Sequence, residues 1–302
     1  MMKDDSKNFQ LRTDVRENGA LRRSFDALAK KTFGLTFEGW YQSGGWQEDY
    51  LPYALADGAR VAANVSVSRC PMRLDGVRMQ LVQLGTVMVD EACRGQGLAR
   101  TLMESVCEAW RDRCDGMFLF ANDSVLDFYP KFGFQPMQET IFERAAEQPG
   151  SNPAKRLRVT PLSVRSDADM QLLRRLFAAG NPFARFAMAG NEGLMRFYAE
   201  QFLNGGLRYL PEADMAVMIE EDGDTATVWD CFGGDAVPLA EVLAAVVSPG
   251  IRRVRLGFTP ADPAGFTAQP LKEDDTTLFV RGDALAERLA SAQLMFPLLA
   301  HA

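Results

Sequence analysis

Histidine is nearly missing from this sequence: among 302 residues the only one is His301, next to last. Its scarcity excludes a Ser-His-Asp triad, an internal histidine base and a zinc site built on several histidines. Cysteine is sparse as well. Cys70, Cys93, Cys107, Cys114 and Cys231 form no CxxC pair and are odd in number. They read as reduced thiols of an intracellular protein, not as a disulfide framework. Positive charge is in deficit, with 33 Lys and Arg against 40 Asp and Glu and a net charge of -7. An acidic surface disfavours nucleic acid and anionic membrane as partners, although a local basic pocket for one anionic ligand remains allowed. No stretch approaches the ~20 consecutive apolar residues that span a bilayer. The polar N-terminus also lacks the apolar run of a signal peptide, so a cytoplasmic location is expected.

What the chain does have is ordinary core-forming material: 47% of its residues are hydrophobic and 10% are aromatic. At ~150 residues per domain the length suggests two domains. The clearest seam is the segment 145–155, AAEQPGSNPAK, with two prolines, a glycine and no periodic apolar signal. It predicts a domain over 1–146, a linker over 147–155 and a second domain over 156–302.

In the first half, strands are expected at 9–13, 51–56, 60–72, 77–89 and 117–121. Asp75-Gly76 makes the hairpin turn between the third and fourth stretches of this half. Leu21, Phe25, Leu28 and Ala29 give 17–33 a helical stripe, and Leu98, Leu102, Val106 and Trp110 do the same for 97–113. The segment 37–50 is aromatic and irregular. Pro130 disturbs any helix over 125–132 and predicts a short or kinked turn. The second half repeats the style, with strands at 157–164, 215–220, 225–231, 253–258 and 277–281 and helices at 168–179, 193–203 and 239–247. Each half reads as α+β, a mixed and mostly antiparallel sheet flanked by helices.

The informative segment is 84–103, LGTVMVDEACRGQGLARTLM. A strand runs into Arg94-Gly95-Gln96-Gly97-Leu98-Ala99 and straight on into a helix. Glycines let successive N–H groups point into one concavity, and the helix N-terminus adds free donors and its dipole. Arg94 and Arg100 bracket the loop and can pair with phosphate oxygens, so the expected ligand carries a diphosphate. A Walker loop would need Gly-Lys-Ser/Thr, which is absent. A dinucleotide fingerprint would need glycine at position 100, where Arg100 stands. Asp123, after the next strand, could still imitate a ribose-binding carboxylate, so a dinucleotide enzyme remains a third reading.

Arg94-Gly95-Gln96-Gly97-Leu98-Ala99 satisfies the pattern Arg/Gln-x-x-Gly-x-Gly/Ala. Asn122 follows the next strand, and Phe128-Tyr129-Pro130-Lys131-Phe132-Gly133-Phe134 places a Tyr before Gly-Phe. Together these resemble the Gcn5-related N-acetyltransferases over roughly 9–142. The resemblance implies two tandem acetyltransferase-like domains and direct transfer of an acetyl group from acetyl-CoA to an amine, without a metal. It implies backbone contacts of Val87, Met88 and Val89 to the pantetheine arm. It also implies diphosphate capture by Arg94, Gly95, Gln96, Gly97, Leu98, Ala99 and Arg100, a cofactor contact or strand-end cap at Asn122, and Tyr129 as the acid that protonates the departing thiolate.

The base is the gap in this reading. No carboxylate lies between Asp75 and Asp90. Glu38, Glu48 and Asp49 sit among Trp40, Tyr41 and Trp46, where the acceptor is expected, and would favour a cationic amine if they faced the pocket. Gln83 could orient a water instead. The acceptor is a small-molecule or peptide amine of unidentified kind. In the second half, Phe232-Gly233-Gly234-Asp235 stands where a phosphate loop would be, without an opening Arg or Gln and with an acid in place. That half reads as degenerate and without cofactor, shaping the acceptor pocket or forming a homodimer contact. The apolar tail 295–299 is expected to dock on the body. The rival from another class is a non-catalytic CoA or acyl-CoA sensor in which Tyr129 only packs.

Overall fold

A computed structural model describes residues 9–146, 157–203, 205–234, 237–290 and 292–301. The predicted linker therefore falls outside the described residues, apart from the seam's first two residues, and so does Asp235 of the second-half loop. The first half runs β1 (Gln10–Arg12), α1 (Gly19–Phe33), α2 (Glu38–Gln42), β2 (Tyr50–Asp57), β3 (Arg60–Leu74), β4 (Val77–Val89), α3 (Leu98–Trp110), β5 (Gly116–Ala121), β6 (Gln135–Met137) and β7 (Thr140–Ala145). The second runs β8 (Thr160–Pro161), α4 (Asp167–Ala179), β9 (Ala184–Met188), α5 (Glu192–Gln201), β10 (Leu207–Leu210), β11 (Met215–Asp222), β12 (Thr225–Gly233), α6 (Leu239–Val246), β13 (Arg253–Leu256), β14 (Thr259–Pro260), β15 (Thr267–Pro270), β16 (Thr277–Arg281) and α7 (Asp283–Ala290). The fold is α+β, with two mixed sheets flanked by helices.

Local chemistry explains the main elements. Asn18 caps α1 by accepting from the N–H groups of Ala20 and Leu21, and α1 buries the predicted stripe Leu21, Phe25, Leu28 and Ala29. Asp75 and Gly76 both take positive φ, 51° and 79°, which is what a two-residue hairpin turn between twisted strands requires. Helix α3 buries Leu98, Leu102, Val106 and Trp110 together with Met103 and Cys107. Pro130 allows no continuous helix over 125–132. Two single 3-10 turns, Asp123–Val125 and Tyr129–Phe132, take its place. The strand expected at 157–164 contracts to Thr160–Pro161.

The sheets do not respect a division at 146 and 156. The first has the order β1-β2-β3-β4-β5-β16-β6, and the second β15-β7-β13-β12-β11-β10-β8. Strand β16, from the second half, lies between β5 and β6, with Phe279 opposite both Leu119 and Pro136. Strand β7, from the first half, lies between β13 and β15, with Glu143 opposite Arg255 and Thr267. The halves thus exchange one strand each in equivalent places. The end of β3 also pairs with β9, Met72 opposite Met188. The physical reason is continuity of hydrogen bonding: β5 and β13 would otherwise present open edges, and each is paired by a strand from the other half. One core cluster holds Phe25, Trp40 and Phe118 together with Phe186, Leu194 and Phe296, so apolar burial is shared across the exchange as well.

All five cysteines are free thiols, and all but Cys114 are buried. Among the described residues, no helix is long and apolar enough to cross a membrane, and no cluster of His, Cys, Asp and Glu could hold a metal.

Candidate active site

Strands β4 and β5 run parallel only from Leu81 opposite Gly116 to Gln83 opposite Phe118. Beyond Gln83 they diverge, while β4 keeps pairing with β3 as far as Val89 opposite Ala63. The β5-facing edge of β4 around Val87, Met88 and Val89 is therefore turned toward a wedge-shaped opening. Where the wedge begins, β4 carries a bulge: Val65 alone stands opposite Thr86 and Val87. Thr86 adopts φ 49°, a conformation that a β-branched residue avoids at a cost of ~1–3 kcal/mol. Two bonds hold it there. Its carbonyl accepts from Asn64 Nδ2 at 3.0 Å, and its Oγ1 lies 2.7 Å from the Tyr50 hydroxyl. Asn64 Nδ2 also donates to Ser66 Oγ at 2.9 Å, and Asn64 and Ser66 are fully buried.

At the end of β4 lies the glycine loop. Gly95 and Gly97 both have φ 76°, in the left-handed region that glycine alone enters freely. Gly97 occupies the N-cap of α3 without a side-chain bond to the first turn, so no cap residue takes up the leading N–H groups of the helix, Leu98 and Ala99 among them. Arg94, Gln96 and Arg100 are exposed around this concavity. Arg100 is only 3.9 Å from Glu104, an exposed and weak pair. Cys93, beside the loop, is buried.

A cavity of about 190 Å³ opens in the wedge. On the β4–β5 side it is lined by Leu84, Gly85, Thr86 and Val87, with Asn122 and Tyr129 opposite. Tyr129 starts its 3-10 turn, is 6% exposed, and packs among the rings of Phe128, Phe134 and Phe279. Burial pushes its phenol up to about 12. Asn122 has its Nδ2 committed to Asp275, at 2.9 Å from a carboxylate oxygen and 3.2 Å from the carbonyl. Its side chain thus ties the β5 end to the approach to β16, closer to the strand-end cap than to a free amide.

The far side of the cavity departs from expectation. Glu38 accepts from Gln42 at 2.7 Å, and this bond, with the Arg22 guanidinium at 3.1 Å, holds its carboxyl below its usual range. Glu48 is exposed, and Asp49 faces Arg69 at 3.8 Å. Gln83 is fully buried at the last parallel pairing. Tyr41 lies under the Arg22 guanidinium, 3.6 Å from its ring centroid. None of these five lines the cavity; Trp40 does. The far wall of the cavity is aromatic rather than acidic: Glu38 and Asp49 sit beside arginines, Glu48 is exposed, and partial burial pushes the Asp49 carboxyl up.

The residues that sequence reasoning missed come from both halves. Phe37, Tyr50 and Phe120 join Trp40, and α5 contributes Leu194 and Phe197. Phe37 stacks on Tyr50 and on Phe197, in each case with centroids 5.6 Å apart. Helix α5 is held close by glycine: a Cβ on Gly193 would overlap the carbonyl oxygen of Gly45, and the Gly193 carbonyl accepts the Trp40 indole N–H at 2.8 Å. In the second half, Gly233 and Gly234 instead press against the backbone of Ala213 and Asp214. The tail also reaches this region. Phe296 N donates to the buried Glu139 at 2.8 Å, and the His301 ring stacks on Phe120 with centroids 3.9 Å apart. Burial drives the His301 imidazole down to about 4, so it is neutral. Ala302 lies outside the described residues.

Residues 53–136 match the acetyltransferase (GNAT) domain family. No curated protein matches the sequence. Among solved structures, a GCN5-related N-acetyltransferase from Kribbella flavida is similar with a TM-score of 0.58 at 18% identity, over 91% of this chain and 72% of that one. A GCN5-related N-acetyltransferase from Anabaena variabilis gives 0.58 at 12% identity over the same shares. Eis1 from Mycobacterium abscessus gives 0.53 at 13% identity, over 90% of this chain and 73% of that one. These likenesses run through both halves and establish the shared fold. Over residues 53–136 the chain is thus similar to GNAT acetyltransferase domains, and that match lies on the strands, loop and turn that frame the β4–β5 wedge.

Proposed function

We propose that this protein is an acetyl-CoA-dependent N-acetyltransferase acting in the β4–β5 wedge. The observation that carries the reading is the alignment of three features: the Gly95/Gly97 concavity at the α3 N-terminus, the unpaired edge of β4, and the Tyr129 side chain on the cavity wall.

These residues fit acetyl-CoA. Arg94, Gly95, Gln96, Gly97, Leu98, Ala99 and Arg100 offer backbone donors and two guanidinium groups to a diphosphate. Val87, Met88 and Val89 present an open strand edge of the right kind for the amide-bearing pantetheine arm. Acetyl-CoA supplies the activated acetyl thioester. The acceptor nitrogen forms its bond to the acetyl carbon as the carbon–sulfur bond breaks. Tyr129 stays protonated at neutral pH because burial raises its phenol, and it gives its proton to the sulfur as charge develops there. The nitrogen's proton leaves to water, and water returns a proton to the Tyr129 phenolate, which restores the acid for the next turnover. The backbone N–H groups next to the Thr86 bulge polarise the thioester carbonyl, and the Tyr50 and Asn64 bonds hold that bulge in place.

Calorimetric titration of acetyl-CoA tests the reading. Arg94→Ala and Gly97→Val should each weaken binding by roughly tenfold or more, the size of a lost charge-assisted or backbone phosphate contact. Equal affinity in the wild type and both variants would refute the loop's role. A sensor that binds acyl-CoA would show the same titrations without release of thiol in the presence of amines.

A further inference from the structure

The wall of the cavity that faces away from the glycine loop identifies the kind of acceptor, given the acetyltransferase reading above. Phe37, Trp40, Tyr50, Phe120, Leu194 and Phe197 make that wall, and no charged side chain lines the cavity among the described residues. The carboxylates close by in sequence or space are turned away and occupied: Glu38 with Arg22, Asp49 with Arg69, and Glu200 with Arg196 at 2.8 Å. A polycation would have to leave water without a counter-ion, and a zwitterionic amino acid would leave its carboxylate unpaired. An apolar body gains by entering. The volume is small: about 190 Å³, which the acceptor shares with the acetyl group, compares with the roughly 150 Å³ of an apolar cavity that admits benzene. The hydroxyl- and amide-bearing side chains that line this space are Tyr50 and Thr86, paired at 2.7 Å, Tyr129, and Asn122, whose Nδ2 is committed to Asp275. They can orient one amino group without demanding a charge on it.

We infer that the acceptor is an amine carried on a single aromatic ring or a compact branched apolar body, seated between α2 and α5, with its nitrogen toward Thr86 and Tyr129. Helix α5 belongs to the second half of the chain, so that half supplies specificity to a site whose reacting groups lie in the first.

The test is a turnover panel on the intact protein with acetyl-CoA, comparing 2-phenylethylamine with spermidine, kanamycin and lysine, alongside calorimetric binding of acetyl-CoA. The inference expects kcat/KM for 2-phenylethylamine to exceed that for each of the other three by about tenfold or more, the discrimination one apolar pocket contact can give. It also expects 2-phenylethylamine to change tryptophan emission on binding, because Trp40 lines the cavity. Leu194→Glu should erase or reverse the preference while acetyl-CoA affinity holds, since Leu194 lies on the wall away from the loop; the preserved affinity also reports that the variant is folded. Acetyl-CoA binding with preferred transfer to spermidine, kanamycin or lysine, or with transfer to none of the four, overturns the inference and leaves cofactor binding standing. Absence of acetyl-CoA binding by the wild type overturns the acetyltransferase reading, and the inference with it.

Discussion

The indole N–H of Trp40 donates to the carbonyl oxygen of Gly193 at 2.8 Å, across 153 positions of sequence and inside the protein. Trp40 stands on α2 in the first half and Gly193 in the first turn of α5 in the second. The bond therefore sets the distance between the two walls of the cavity. It can form only because residue 193 has no side chain, since a Cβ there would overlap the Gly45 carbonyl.

Gly193→Ala should force α5 away from the 40–46 segment. Overpacking of this kind costs about 1–3 kcal/mol, readable as a shift in the denaturant midpoint. The Michaelis constant for the amine should rise while acetyl-CoA affinity holds, because the disturbed wall faces the acceptor. An alanine variant as stable as the wild type and unchanged toward the amine would contradict this account of the wall.

The exchanged strands make a second prediction. A fragment ending at residue 146 lacks β16, which lies between β5 and β6, and leaves β7 without its partners. Expressed alone, residues 1–146 should fail to bind acetyl-CoA and should expose apolar surface from the shared core. Co-expression with the remainder should restore a folded complex. A soluble, cooperatively unfolding fragment that binds acetyl-CoA would show that β16 is dispensable.

His301 provides a pH test with a clean signal, because the chain has a single imidazole. Burial against Phe120 lowers it from 6.5 to about 4. The unfolded chain takes up this proton as pH drops below about 6.5, while the folded protein resists until about 4. The stabilising contribution is therefore full above the unfolded value and is lost as pH falls through that window. Proton NMR of the imidazole should show a midpoint near 4, moving back up in Phe120→Ala. A midpoint near 6.5 in the wild type would mean that the tail is not docked on Phe120.

Much of this arrangement could be read from residue order. Val77–Val89 is found at its predicted limits, the α3 stripe is buried as its spacing required, and the Gly95 and Gly97 conformations follow from glycine's freedom at a helix start. What could not be read were long-range partners. An apolar alternating segment announces a strand but not the sheet that receives it, so 277–281 was identifiable as a strand while its place between β5 and β6 was not. Leu194 and Phe197 look like the buried face of any amphipathic helix, and nothing local distinguishes a cavity wall from a core. Glu38, Glu48 and Asp49 share a segment with the aromatic wall but do not line the cavity; Glu38 and Asp49 sit beside arginines and Glu48 is exposed, which residue order alone does not reveal. Thr86 gave no signal: a β-branched residue is ordinary in a strand, and its strain arises only from the bulge.

The central claim is acetyl transfer with Tyr129 as the proton donor, and Tyr129→Phe tests it most directly because it removes one oxygen and keeps the packed ring. With acetyl-CoA and a reactive amine, the account predicts a fall in kcat of roughly 10²–10⁴-fold, the usual worth of a positioned acid, at unchanged acetyl-CoA affinity by calorimetry. An undiminished kcat at unchanged affinity would contradict it.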